Sequence, residues 1–155
     1  PGVDFDNKML PEEMQSMALL SSTQWIRVDG MDAIDRLPAR LYGEEPPYGW
    51  CYYFSKAEIA RQQSDWAAVA ALGDQAFALG DYPNDPAERL VFIEGYAHTG
   101  AWVRAEQLSG EVQAITPMMA PVLCHLWSRI AEQAPASPEK VTTLQRIFST
   151  LTCSE

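Results

Sequence analysis

The sequence predicts an all-α protein: about three antiparallel helical hairpins stacked on one another, preceded by an irregular N-terminal segment with one or two short helices. Three observations predict it. From residue 50 onward, apolar residues recur at helical spacing almost without interruption. Prolines, glycines and capping residues cut that stretch into six segments. The pattern then repeats at an offset of 36 residues.

Residues 1–49 stand apart as an acidic, proline-containing segment expected to pack on a helical domain of residues 50–155. The first 50 residues hold nine acids against four bases. Pro11 followed by Glu12 and Glu13 marks a helix start, with acids facing the positive end of the dipole and Met14, Met17 and Ala18 on one apolar face. Trp25-Ile26-Arg27-Val28 suits a short strand or an extended strap. Pro46 then denies the helical conformation to Glu45.

Beyond that break, residues 50–63 place Trp50, Tyr53, Phe54, Ala57 and Ala60 on one side of a helix. Ser64-Asp65 caps a second, with Trp66, Val69, Leu72, Gly73 and Ala76 inward. Asp85 caps a third, with Pro86 first inside and Glu88 in the capping-box position, burying Leu90, Ile93, Tyr96 and Ala97. A fourth starts at Ala101 with Trp102, Ala105, Leu108 and Val112 inward. Thr116-Pro117 opens a fifth with Leu123, Trp127, Ile130 and Ala134, which Pro121 can kink near its start. Ser137-Pro138 opens a sixth with Val141, Leu144, Phe148 and Leu151.

At the 36-residue offset Trp66 meets Trp102, Val69 meets Ala105, Leu72 meets Leu108 and Ala76 meets Val112. A further shift lays Val141 over Ala105, Leu144 over Leu108 and Phe148 over Val112. A lone hairpin cannot cover its apolar face, and stacking like units does. Residues 50–152 accordingly resemble the tetratricopeptide family. Tyr96, Gly100, Trp102, Ala105 and Pro117 stand at its tyrosine, glycine, aromatic, alanine and closing-proline positions. The first unit keeps Ala57, Trp66 and Ala76 but departs at Ala60, the second departs at Ile93, and the third keeps only its second-helix spacing. The resemblance implies a non-catalytic protein-interaction or scaffolding domain.

A second resemblance rests on whole phrases: residues 45–54 (EPPYGWCYYF), 56–62 (KAEIARQ), Asp65-Trp66 with Leu72-Gly73-Asp74, and 92–97 (FIEGYA). They look like a segment that follows the last spanning helix of certain bacterial polytopic membrane proteins of the lipid-phosphate-sugar-dependent glycosyltransferase type. It implies a C-terminal soluble domain on the extracytoplasmic side, membrane-tethered only through upstream segments. Its partner would be a protein, a peptide or loops of the parent protein. Beginning at Pro1, the chain is expected to be a processed product or an excised piece.

Composition bounds the alternatives. The 155 residues, 47% hydrophobic and 21% charged, suit one folded domain with its own core. A net charge of -10 argues against a nucleic-acid backbone or an anionic membrane surface as partner. The longest uncharged apolar runs, residues 50–54 and 66–73, fall short of the ~20 residues of a spanning helix. No phosphate loop, nucleophile elbow or CxxC pair occurs, so no catalytic residue, cofactor or metal site is expected. His125 follows Cys124, but neighbours on a helix point about 100° apart, a poor metal pair. Cys51, Cys124 and Cys153 fit either three idle thiols or a Cys51–Cys124 bridge in an oxidising compartment.

The first helices of the hairpins are expected to line a partner groove with Lys56, Glu58, Ile59, Arg61, Gln62, Glu88, Arg89, Val91, Phe92, Glu94 and His98. Glu58 and Glu94, one repeat apart, are expected there as solvated carboxylates or partners of Arg61 and Arg89. His98, at a helix C-terminus, should favour its charged form as a cap. The rival function is a carbohydrate- or acceptor-binding module using Trp25, Tyr48 and Tyr52.

Overall fold

A computed structural model describes residues 11–20, 47–83 and 85–153. The chain divides into two compact units, Pro1–Pro47 and Tyr48–Glu155. In the first, α1 (Glu12–Leu20) carries Glu12 and Glu13 in its opening turn, as expected, and Met14 and Met17 are exposed. The strap at Trp25–Val28 lies outside the described residues.

The second unit is all-helical among the described residues: α2 (Trp50–Gln62), α3 (Trp66–Ala78), α4 (Leu90–His98), α5 (Trp102–Ile115), α6 (Ala120–Gln133) and α7 (Pro138–Leu151). Three-residue-per-turn segments, Pro86–Arg89 and Pro117–Met119, lead into α4 and α6. The hairpins α2/α3, α4/α5 and α6/α7 stack. The first helices α2, α4 and α6 pack in one layer, and α5 packs on α7 in the other.

The repeat is visible in the turns. Ser64 and Gly100 both take left-handed backbone, φ 59° and 83°. After each, the next N–H reaches back five residues, Asp65 to Ala60 and Ala101 to Tyr96, closing the last turn of the helix. Asp65 also caps α3 by accepting from the Ala68 N–H at 3.0 Å. The third hairpin turns differently: Ala134 is extended, and Ser137 caps α7 through the Lys140 N–H. Before α4, Asp85 accepts from the Ala87 N–H. The expected capping box is absent, because the Glu88 carboxylate instead accepts from Trp50 Nε1 at 2.6 Å.

Helix α4 is the centre of the stack. It packs against α2, α3, α5 and α6, and Val91 through Ala97 are all buried. Such a helix has no solvent face, which explains its near-continuous apolar sequence. Trp50, Phe77 and Phe92 pack edge-to-face beside it, with ring centroids 5.2–5.5 Å apart. Trp127 is fully buried and donates to Ser109 at 3.0 Å, so its indole N–H is satisfied in the core.

Two further expectations are corrected. The apolar face of α7 is rotated: Thr143, Ile147 and Leu151 are buried, whereas Val141 is 56% exposed. An offset of 35 rather than 36 brings buried Leu108 to Thr143 and Val112 to Ile147, a one-residue slip that accompanies the altered turn. The Cys51–Cys124 bridge does not form either. Cys124 pairs with Cys153, their Cα atoms 5.7 Å apart, and Cys51 is an exposed free thiol. Antiparallel packing sets the early part of α6 beside the residue just past α7, while α4 stands between α2 and α6.

Candidate functional site

The groove expected along the first helices is not open at α4. Arg89, Val91, Phe92 and Glu94 are all buried, Glu94 being 2% exposed, because α4 has neighbours on every side. In place of a groove, a ladder of charges ties the first helices together. Arg61 donates to Glu58 Oε2 through Nε and Nη2, at 3.2 and 2.9 Å. Its Nη1 lies 3.9 Å from Glu94. Arg129 on α6 grips Glu94 with two parallel bonds of 2.8 and 2.9 Å. A buried carboxylate needs such pairing to remain charged.

Arg129 was missed in the sequence, yet a signal for it exists. It stands 35 residues after Glu94, as Glu94 stands 36 after Glu58, so the three are near-equivalent positions on successive first helices. The expected Arg89–Glu94 pairing does not occur. Arg89 is 5% exposed, its Nε and Nη1 have no hydrogen-bond partner, and its guanidinium lies 5.9 Å from the centre of the Tyr82 ring.

His98 stacks on Trp66, ring centroids 3.9 Å apart and 11° from parallel, with Nε2 buried and unpartnered. The expected charged cap is therefore overturned. Burial, and then the positive charges of Arg129 and Lys140, hold its pKa below the ordinary 6.5, outweighing the helix dipole. Tyr96 donates to Asp74 at 2.7 Å, and burial, followed by that carboxylate, pushes its hydroxyl above the usual range.

Two further features of the described residues lie at the surface. Tyr48 and Tyr52 stack face to face, centroids 3.9 Å apart, and Lys56 donates to the Tyr52 hydroxyl at 3.0 Å. Tyr48 is 41% exposed, while Trp25 lies outside the described residues. On the second-helix layer, the N-terminal halves of α5 and α7 line a groove of about 660 Å³. Trp102, Val103, Arg104, Pro138, Thr142 and Arg146 are among its lining residues. Val103 is 78% exposed. At the rim Arg146 holds Glu106 through Nε at 2.8 Å and Nη2 at 2.6 Å. Those bonds keep the Glu106 carboxyl below its usual pKa.

Among the described residues no group of three His, Cys, Asp or Glu side chains is placed to hold a metal ion. No described helix is long and apolar enough to cross a membrane. Comparisons with family models, curated proteins and solved structures found no match.

Proposed function

We propose that residues 48–153 form a non-catalytic, tetratricopeptide-like docking domain that holds an extended segment of a protein partner, and that it is the soluble C-terminal part of a membrane glycosyltransferase-like protein. The groove between α5 and α7 carries this reading. Val103 is exposed there beside Trp102, where an apolar partner side chain can sit. Thr142 and Gln107 on the walls can bond a partner's main chain. Support for the family comes from the matching left-handed turns at Ser64 and Gly100 and the equivalent tryptophans Trp66 and Trp102. The Cys124–Cys153 bridge suits an extracytoplasmic position.

The test is selection of displayed peptides on the immobilised domain, repeated with Val103→Asp. Peptides bound by the native chain and lost at least tenfold with the variant support docking in this groove. Binding indifferent to Val103→Asp removes the groove from the proposal. A second reading, a carbohydrate- or acceptor-binding module, rests on the half-exposed Tyr48–Tyr52 stack. It requires a glycan that quenches tryptophan fluorescence, and Tyr48→Ala should abolish that quenching.

A further inference from the structure

We propose that the Cys124–Cys153 disulfide is a redox clasp for α7: oxidised, it holds this helix on the stack, and reduced, it lets α7 open while the rest of the repeat stays folded. The argument starts from how weakly α7 is otherwise held. Five of its 14 residues are β-branched (Val141, Thr142, Thr143, Ile147 and Thr150), a poor composition for a helix. Its buried side chains are Thr143, Ile147 and Leu151, one of them polar, and Leu144 and Phe148 reach the core only partly buried. It packs on α5 and α6, whereas α4 has four helical neighbours. Away from the α5/α7 groove its exposed residues are Val141, Gln145, Ser149 and Thr150, a mostly polar set and a poor seat for an apolar neighbour.

The far end of α7 adds strain. Thr152 closes the helix at φ 52°, a left-handed conformation that a β-branched residue adopts at a cost. The next residue is Cys153. The covalent bond therefore sits at the point where fraying of α7 would begin, and it closes a separation of 29 residues. Among the described helices the α6/α7 hairpin stacks on one other hairpin, and a unit with fewer packed neighbours opens at lower cost. Cross-linking that end to α6 withdraws the open states.

Both cysteines are half-buried, so a small dithiol can reach them when the helix end breathes. One thiolate of the dithiol attacks a sulfur of the bridge, forming a mixed disulfide and releasing the other cysteine as a thiol. The second thiol of the reductant then displaces the remaining cysteine. The reductant leaves as a cyclic disulfide, and two electrons and two protons have passed to Cys124 and Cys153. Because α7 forms one wall of the α5/α7 groove, its opening would also remove the docking site. That consequence rests on the docking reading, whereas the clasp is read out with no ligand present.

The experiment measures amide hydrogen exchange on the whole chain, oxidised and then reduced with dithiothreitol, after counting free thiols in denatured, unreduced protein. The expected result is one free thiol, Cys51. On reduction, α7 peptides should exchange at least tenfold faster while α4 peptides keep their protection. Three free thiols in protein prepared under oxidising conditions would overturn the proposal. So would unchanged α7 protection on reduction, or loss of α4 and α7 protection together. A Cys124→Ser/Cys153→Ser variant should reproduce the reduced pattern without reductant, and Cys51→Ser should behave as the oxidised parent.

Discussion

The α2–α5 pair of hairpins and the terminal hairpin α6/α7 are assembled from the same kind of unit but held by different means. In the first two, one turn geometry recurs at Ser64 and Gly100, and the central helix α4 buries seven consecutive residues among four neighbours. In the terminal hairpin the turn is extended, the register slips by one residue, and the last helix buries three residues and ends at a disulfide. A repeat strengthens its middle by neighbours on both sides. The α6/α7 hairpin packs on one such neighbour among the described helices, and here a covalent bond adds to that contact.

The largest test of this contrast sets Phe92→Ala against Ile147→Ala. Phe92 is fully buried in the edge-to-face cluster with Trp50 and Phe77. Its loss should cost about 4 kcal/mol and lower protection throughout residues 48–153. Ile147→Ala should cost about 2 kcal/mol, with faster exchange confined to α7. Denaturant unfolding and hydrogen exchange read both, and equal, global effects would erase the distinction between centre and end. Next in size is Glu94→Gln, which leaves Arg129 and Arg61 without their shared carboxylate. About 3 kcal/mol should be lost. A midpoint unchanged in denaturant would mean that the ladder contributes no stability.

Much of the centre was legible in the sequence and much of the end was not. Caps such as Asp65 and Ser137 act on N–H groups three residues away, so local spacing reveals them. The equivalence of Trp66 and Trp102 likewise follows from the period. Burial of Glu94 does not, because it depends on how many helices surround α4 rather than on any pattern within α4. The same holds for Cys124, whose partner is selected by antiparallel packing of α6 on α7. For α7, a one-residue slip in register turned Val141 outward, and nothing local to residues 138–151 signals the altered turn before it. The α5/α7 groove escaped notice because two helices distant in sequence line it, not a motif.

Gly95→Ala probes the tightest contact in the centre. A methyl group there would overlap the Val69 side chain across the α3–α4 interface. Overpacking should cost about 1–3 kcal/mol, read as a lower midpoint in denaturant. His98 adds a smaller, pH-dependent component. Its folded pKa lies below the ordinary 6.5, so between the two values the unfolded chain binds more protons. Stability is then complete above 6.5 and declines as pH falls through it. His98→Phe, which keeps a ring against Trp66, should flatten the slope of stability between about pH 7 and pH 5. An unaltered slope would assign that dependence to other groups.

The smallest effect has the opposite sign. Gly110 lies within α5 on an exposed face, and a methyl group built on it meets nothing within 4 Å. Glycine inside a helix leaves the unfolded chain more freedom than alanine does, without a packing role here to offset that cost. Gly110→Ala should therefore raise stability by about 0.5–1 kcal/mol. Helix α5 belongs to both regions, packing on α4 and on α7. If the gain appears as slower exchange across α4 and α5 but not α7, the centre unfolds as one unit and the end is coupled to it only loosely. If α7 slows equally, the terminal hairpin shares the cooperativity of the centre, and the clasp restrains the whole stack rather than its last helix.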